Sequence, residues 1–172
     1  MMDLVESLYD EYERIVHHLR DAQEISYLAT LERTFPKVLL LASASQAESR
    51  ICEAIIRYFK EVSGRHSLAV NFVKNKAISR QYHSFFDWDR RNANKFFGLF
   101  GEEFKARVVE VVRGDPTLDQ AVRDFMELGS LRNQLVHQDY ASFTIEKTVS
   151  EIVEQHRSAA VFVGKILELL LE

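Results

Sequence analysis

The chain has 172 residues, 47% apolar and 28% charged, with a formal net charge of -4; that fits one domain with a real core and excludes nucleic-acid binding by the surface as a whole. The single cysteine, Cys52, excludes an internal disulfide and a Cys-rich zinc site, which predicts a reducing cytoplasm. No apolar run is long enough to span a membrane, and the opening "MMDLVESLYDEYER" is acidic and periodic, unlike a signal peptide.

The low count of 2 Pro and 6 Gly favours long helices. Asp3 to about Leu31 reads as the first of them, with Leu8, Tyr12, Ile15, Leu19, Ala22 and Ala29 at three- and four-residue steps. His17 and His18 are adjacent, so they point about 100° apart and do not share one metal. They read as surface or boundary residues. Thr34-Phe35-Pro36 predicts the start of a second helix, with Pro in its first turn, running to about Val62 before Gly64. Its stripe is Leu41, Ser45, Glu48, Cys52, Ile55 and Phe59. Glu48 projects within roughly 20° of Leu41, so a carboxylate sits among apolar positions.

Residues 65–114 are the least regular. From Arg65 to Arg107 there are nine Lys/Arg against four Asp/Glu, a local +5, which leaves -4 - 5 = -9 for the rest. Such a region is either a local anion site or a solvated charged face. "SLAVNFVKNKAI" can be a short helix. "YHSFFDWDRRNANKFFGLFG" interleaves Tyr82, Phe85, Phe86, Trp88, Phe96, Phe97 and Phe100 with basic residues. That mixture can stack bases and hold phosphates, with Arg90, Arg91 and Lys95 as the candidate RNA contacts. Core packing is the stronger reading, because most of these rings are Phe with no polar handle. "EEFKARVVEVV" predicts a helix ended by Gly114.

Asp115-Pro116-Thr117 restarts the chain as a helix to about Gln138, with a capping Asp and Pro at the first helical position. Thr144 or Ser142 is the expected cap of the last helix, whose apolar face is Val149, Ile152, Val153, Val163, Ile166, Leu167 and Leu170. No persistent strand-like alternation, repeat or low-complexity tract interrupts this pattern. The expectation is an all-α up-down bundle over residues 1–172, a single helical domain, with an irregular aromatic-rich insertion before the helix at 116–138.

That helix carries an anomaly. Leu118, Val122, Phe125, Leu128, Leu135 and Val136 form one apolar arc, and Asp119, Arg123, Glu127, Ser130, Gln134 and Gln138 the opposite one. Arg132 projects inside the apolar arc, and Asn133 and His137, four apart, share its edge. A buried guanidinium is unfavourable unless paired. Glu48, equally misplaced, is the expected partner, orienting Arg132 at the mouth of a cleft. Singly, each residue is more often structural: an ion pair, a helix-end His, an ordinary Asn.

Together, Arg132, Asn133 and His137 in "RNQLVHQDY" resemble the RNxxxH motif of HEPN domains, and "FFDWDRRNANKFFGLFG" is similar to the RiboL-PSP-type branch. The resemblance implies an all-α fold over most of the chain. It also implies a metal-independent endoribonuclease of toxin–antitoxin or defence systems, needing no cofactor, with an antitoxin or defence partner and a homodimer whose two motifs face each other. "RRNANKFF" does not repeat the motif, since Phe97 stands where His is needed. The residue types suit the chemistry: Arg132 for phosphate oxygens, His137 for proton transfer near neutrality, and Asn133 to orient either. Asp139 and Tyr140 are weaker candidates for substrate contacts. The competing reading is a non-catalytic HEPN-like module for dimerisation or for binding nucleotide or RNA.

Overall fold

A computed structural model describes residues 3–64 and 67–172. Arg65, where the basic stretch begins, lies outside the described residues, as do Met1 and Met2 of the opening stretch. The described residues are helical with no strand. The all-α reading therefore holds.

Helix α1 spans Leu4–Asp21 and α2 spans Ile25–Ser63. Asp3 caps α1 by accepting from the Val5 N–H. The break falls at Ala22–Glu24, ten residues before the expected one, where "DAQE" offers no apolar residue large enough to continue the stripe. Gln23 turns there with φ 56°. Pro36, expected in a first turn, lies inside α2. Its missing N–H frees only the carbonyl of Glu32, an exposed position where water can take the bond. Burial of Leu39 and Leu40 on the same stretch holds the helix together across it. The stripes also shift. Tyr12 is buried, but Val5 and Val16 join it, and Ile15 is exposed. On α2, Leu40, Ser43, Ile51 and Ile55 face the core, and Ser45 is exposed.

The middle of the chain winds through short elements. Helix α3 (Leu68–Phe72) runs into a π-helical turn, Val73–Ile78, and then come α4 (Tyr82–Phe85), α5 (Asn94–Gly98) and α6 (Glu102–Gly114). Here the core reading of the aromatics holds. Phe85, Phe86, Phe96 and Phe97 are buried. Phe86 stacks on Phe96 at 5.0 Å and meets Phe125 edge-on at 4.9 Å. Phe125 in turn packs on Phe162 at 5.3 Å. The insertion is therefore anchored to the two main helices by aromatic contact.

Those helices are α7 (Pro116–His137) and α8 (Val149–Leu171), which pack on each other. Helix α2 lies against both, and α1 against α2 and α8. Asp115 caps α7 as expected, accepting from the N–H groups of Thr117 and Leu118 at 2.9 and 3.1 Å. The cap of α8 is Thr148, not Thr144 or Ser142. Thr148 and Glu151 form a reciprocal capping box, which satisfies two free N–H groups where a lone hydroxyl satisfies one. Among the described residues, no helix is long and apolar enough to cross a membrane.

Candidate functional site

Helix α7 ends in the anomalous stretch. Leu118, Val122, Phe125, Leu128 and Leu135 are buried as the arc requires, while Val136 is half exposed at 46%. This opens the last turn to solvent on the side where Asn133 and His137 stand. Arg132 and Asn133 are half-buried and His137 is exposed. The Arg132 Nη1 donates to Asn133 Oδ1 at 3.1 Å, so the amide fixes the direction of the guanidinium. All three line one surface cleft of about 420 Å³.

The facing wall comes from elsewhere. Glu48 of α2 and the run Arg80, Tyr82 and His83 line the same cleft. The expected ion pair between Glu48 and Arg132 is not made among the described residues: both line the cleft and neither bonds the other. Each is only half-buried, so each keeps water, and the desolvation that would force them together is missing. Glu48 and Arg132 still act on the same neighbour. Burial pushes the Tyr82 phenol well above its ordinary range, Glu48 pushes it further, and Arg132 opposes. Tyr82 is therefore a neutral hydroxyl and no base. Burial, aided by Glu48, also raises Cys52 to about 11, so the thiol is not a thiolate nucleophile.

Behind the cleft lies an apolar slot shared by Tyr82, His83 and Arg132 and walled by Phe125, Leu128 and Trp88. Its free volume is about 30 Å³, room for a water or two but not a base. Trp88 fills the rest. Its ring lies 1.9 Å from where a Cβ on Gly129 would stand, so only glycine fits α7 there. The Trp88 indole N–H donates to the His83 carbonyl at 3.3 Å. Trp88 thereby ties α4, and His83 with it, to the motif helix.

With this geometry in place, comparison with known families is direct: the RiboL-PSP-HEPN profile matches residues 6–172. The chain belongs to the RiboL-PSP-HEPN family. No significant match to a curated protein or to a solved structure accompanies it.

Not every residue singled out from the sequence of this HEPN chain meets the cleft. Asp139 accepts from the Ala141 N–H at 3.1 Å and closes the turn after α7. The Tyr140 carbonyl accepts from Lys37 Nζ at 2.6 Å, and the same ammonium lies 4.9 Å from the Tyr140 ring. Both contacts belong to a separate cleft of about 570 Å³ between α2 and the loop that follows α7. Arg90, Arg91 and Lys95 are exposed and do not line the motif cleft. Arg90 pairs with Asp87 at 3.6 Å, and the Asn92 side-chain oxygen accepts from the Asn94 N–H at 3.1 Å in the turn before α5. Two cleft residues, Arg80 and His83, carried no motif. The signal available was the basic excess between residues 65 and 107, to which Arg80 belongs. Among the described residues, no group of three or more His, Cys, Asp or Glu is placed to hold a metal ion.

Proposed function

We propose that this protein is a metal-independent endoribonuclease of the HEPN type, a single domain over residues 1–172 that acts in the cytoplasm as a toxin or defence effector. The observation that carries the reading is the convergence of Arg132, Asn133 and His137 on one open cleft. RNA supplies its own nucleophile. The 2′-hydroxyl attacks the adjacent phosphorus, the bond to the 5′-oxygen breaks, and the products are a 2′,3′-cyclic phosphate and a 5′-hydroxyl. Arg132 donates to the phosphate oxygens as negative charge builds on them. Asn133 holds Arg132 in place through the 3.1 Å bond. His137 stands in the last turn of α7, open to the cleft, and it serves as the acid that protonates the 5′-oxygen.

Family membership also supports a two-fold homodimer with the motif helices near the axis, which would set two clefts side by side. The exposed Val136, one residue from His137, gives that face an apolar contact. An antitoxin or defence protein is the expected regulatory partner.

The test is incubation of the purified protein with labelled RNA in EDTA, wild type beside His137→Ala, with circular dichroism on both. The reading expects cutting by the wild type and loss of it in a folded variant. A folded variant that cuts at the wild-type rate removes His137 from the chemistry. If neither cuts, the non-catalytic module takes the place of the enzyme.

A further inference from the structure

We infer that the second cleft, between α2 and the loop after α7, is a nucleotide subsite for RNA. Lys37 and Arg33 hold a backbone phosphate there, and the Tyr140 ring takes the adjoining base. This inference rests on the reading that RNA is the ligand of the motif cleft. Its starting point is a charge out of place. Lys37 is 6% exposed, yet among the described residues it has no carboxylate within ion-pair distance. A buried lysine without a counter-ion is rare, because nothing offsets the desolvation of its ammonium. Its hydrogen bond goes to a neutral acceptor, the Tyr140 carbonyl, at 2.6 Å, and the Tyr140 ring lies 4.9 Å away. An ammonium has three donors, so two remain. Nor can α2 turn Lys37 outward, since that would expose Leu39 and Leu40, which are fully buried.

The cleft fits an anion joined to a flat ring. Its volume of about 570 Å³ has room for a nucleotide. Of the charged groups on its walls, Glu32 is engaged by Arg20 at 3.4 Å and Lys147 by Glu127 at 3.0 Å. Arg33 is exposed, with no ion pair among the described residues. That leaves Arg33 and Lys37 against one exposed carboxylate, Glu146, a positive remainder on a chain whose net charge is -4. Tyr140 is 48% exposed, so its ring has surface for a base beside the ammonium. Cations for the backbone and an aromatic ring for the base are the combination that holds single strands without regard to sequence.

The two clefts lie along one path. Tyr140 follows His137 by three residues, and α7 ends between them. On α2, Lys37 precedes Glu48 of the motif cleft by eleven residues. That is three turns to within about 20°, and an axial run of about 16 Å. Lys37 and Glu48 therefore share one side of α2, and a strand laid along it passes from the motif cleft to the second one. A free nucleotide would make the same phosphate and ring contacts, but this continuity favours the strand. The subsite adds affinity and register. The bond-breaking groups stay in the motif clefts that the dimer sets side by side.

The experiment measures binding of a labelled 2′-O-methyl RNA, which has no free 2′-hydroxyl to attack, by fluorescence anisotropy across a salt series. Wild type is set beside Arg33→Gln, Lys37→Gln, Tyr140→Ala and Tyr140→Phe, each melted by circular dichroism. Arg33→Gln alters one exposed side chain, so it decides the matter even if Lys37→Gln fails to fold. Each charge variant should weaken binding about three- to tenfold at low salt, and flatten the slope of log affinity against log salt by about 0.7. A lysine that only holds the loop would leave that slope as it is. Tyr140→Ala should lose about fivefold or more at every salt, and Tyr140→Phe should recover it. AMP added as competitor should not displace the RNA at micromolar concentration. Displacement there, lost in Lys37→Gln, would make this a free-nucleotide site and overturn the strand assignment. If all four variants bind as wild type does, with the same slope, while wild type cuts natural RNA, this inference fails and the ribonuclease reading stands. The expected losses in a protein that cuts nothing would uphold the subsite and remove the enzyme. If wild type binds no RNA, both readings fall.

Discussion

His156 and His137 lie in the same fold in opposite surroundings. His156 of α8 is 5% exposed and held at both nitrogens. With its proton on Nε2, the ring donates to Asp3 Oδ2 at 3.5 Å and accepts from the Ser43 hydroxyl on Nδ1 at 2.8 Å. Asp3 also accepts from Gln46 and pairs with Arg50, each at 3.0 Å. This chain of bonds joins the first residues of the described structure, α2 and α8, across 153 positions of sequence. His137 is exposed and lines a cleft with residues it does not bond. Aspartate, histidine and serine in a row invite comparison with a hydrolase triad. Ser43, 1% exposed on the buried face of α2, offers no substrate a way in. The lesson is that polar side chains bonded to one another inside the fold hold it together, whereas those left open toward a cleft keep their donors and acceptors unspent.

Exchange of the two histidines for alanine should separate these roles, and this gives the largest effects. His137→Ala is expected to lower RNA cleavage by about 10²–10⁴-fold with an unchanged melting temperature. His156→Ala should leave cleavage by the folded fraction near wild type. Its stability should fall by about 2–4 kcal/mol, since the change opens a cavity and strands the Ser43 hydroxyl and the Asp3 carboxylate. Denaturant titrations and initial rates on both variants check this. Loss of stability without loss of rate in His137→Ala would reverse the comparison.

Acid should attack the two places unequally. Burial works to raise the Asp3 carboxyl, yet the donors from Gln46, Val5 and His156 outweigh it and hold it at about 2. A depressed carboxyl contributes stability above its unfolded value of 3.8, lost as pH falls through about 2, on the order of 2 kcal/mol here. Burial also lowers His156, against the pull of Asp3. The unfolded chain therefore takes that proton first, and stability begins to drop below about 6.5. Unfolding free energy should fall in the wild type as pH drops below about 6.5 and again from about 3.8 toward 2, and Asp3→Asn, which starts lower, should lack the second fall. Parallel curves would show that Asp3 does not carry the acid sensitivity.

The same contrast explains what could be read from sequence. The Asp115-Pro116 cap and the spacing of Arg132, Asn133 and His137 are local signals, and the structure keeps them in place. The helix boundaries at Ala22–Glu24 and Thr148 depend on which of several capping and turn residues tertiary packing selects, so Pro36 and Thr144 misled. His83 is placed by an aromatic anchor and Arg80 by a left-handed turn, neither of them by periodicity. The Asp3–His156–Ser43 network has no pattern in sequence at all, because its members meet only once α1, α2 and α8 have packed.

The smallest effect is the most exacting, because Glu48 was expected to pair with Arg132 at the mouth of the cleft and the structure leaves the two unbonded there. Were it the buried partner of Arg132, removal of its charge would be worth roughly 3–5 kcal/mol of stability. It is instead half-buried at the wall of the cleft, with no bond to Arg132 among the described residues. Glu48→Gln should therefore shift unfolding free energy by less than about 1 kcal/mol. Its trace should appear in RNA binding. A carboxylate facing Arg80 and Arg132 repels phosphate, and at cleft distances in partly solvated surroundings that repulsion is on the order of 1 kcal/mol. The variant should bind RNA a few-fold more tightly at low salt, with the gain fading as salt screens it. Fluorescence anisotropy with a non-cleavable 2′-deoxy substrate across a salt series, beside a denaturant titration, measures both quantities. A loss of several kcal/mol with unchanged affinity would return Glu48 to the company of Asp3 and His156.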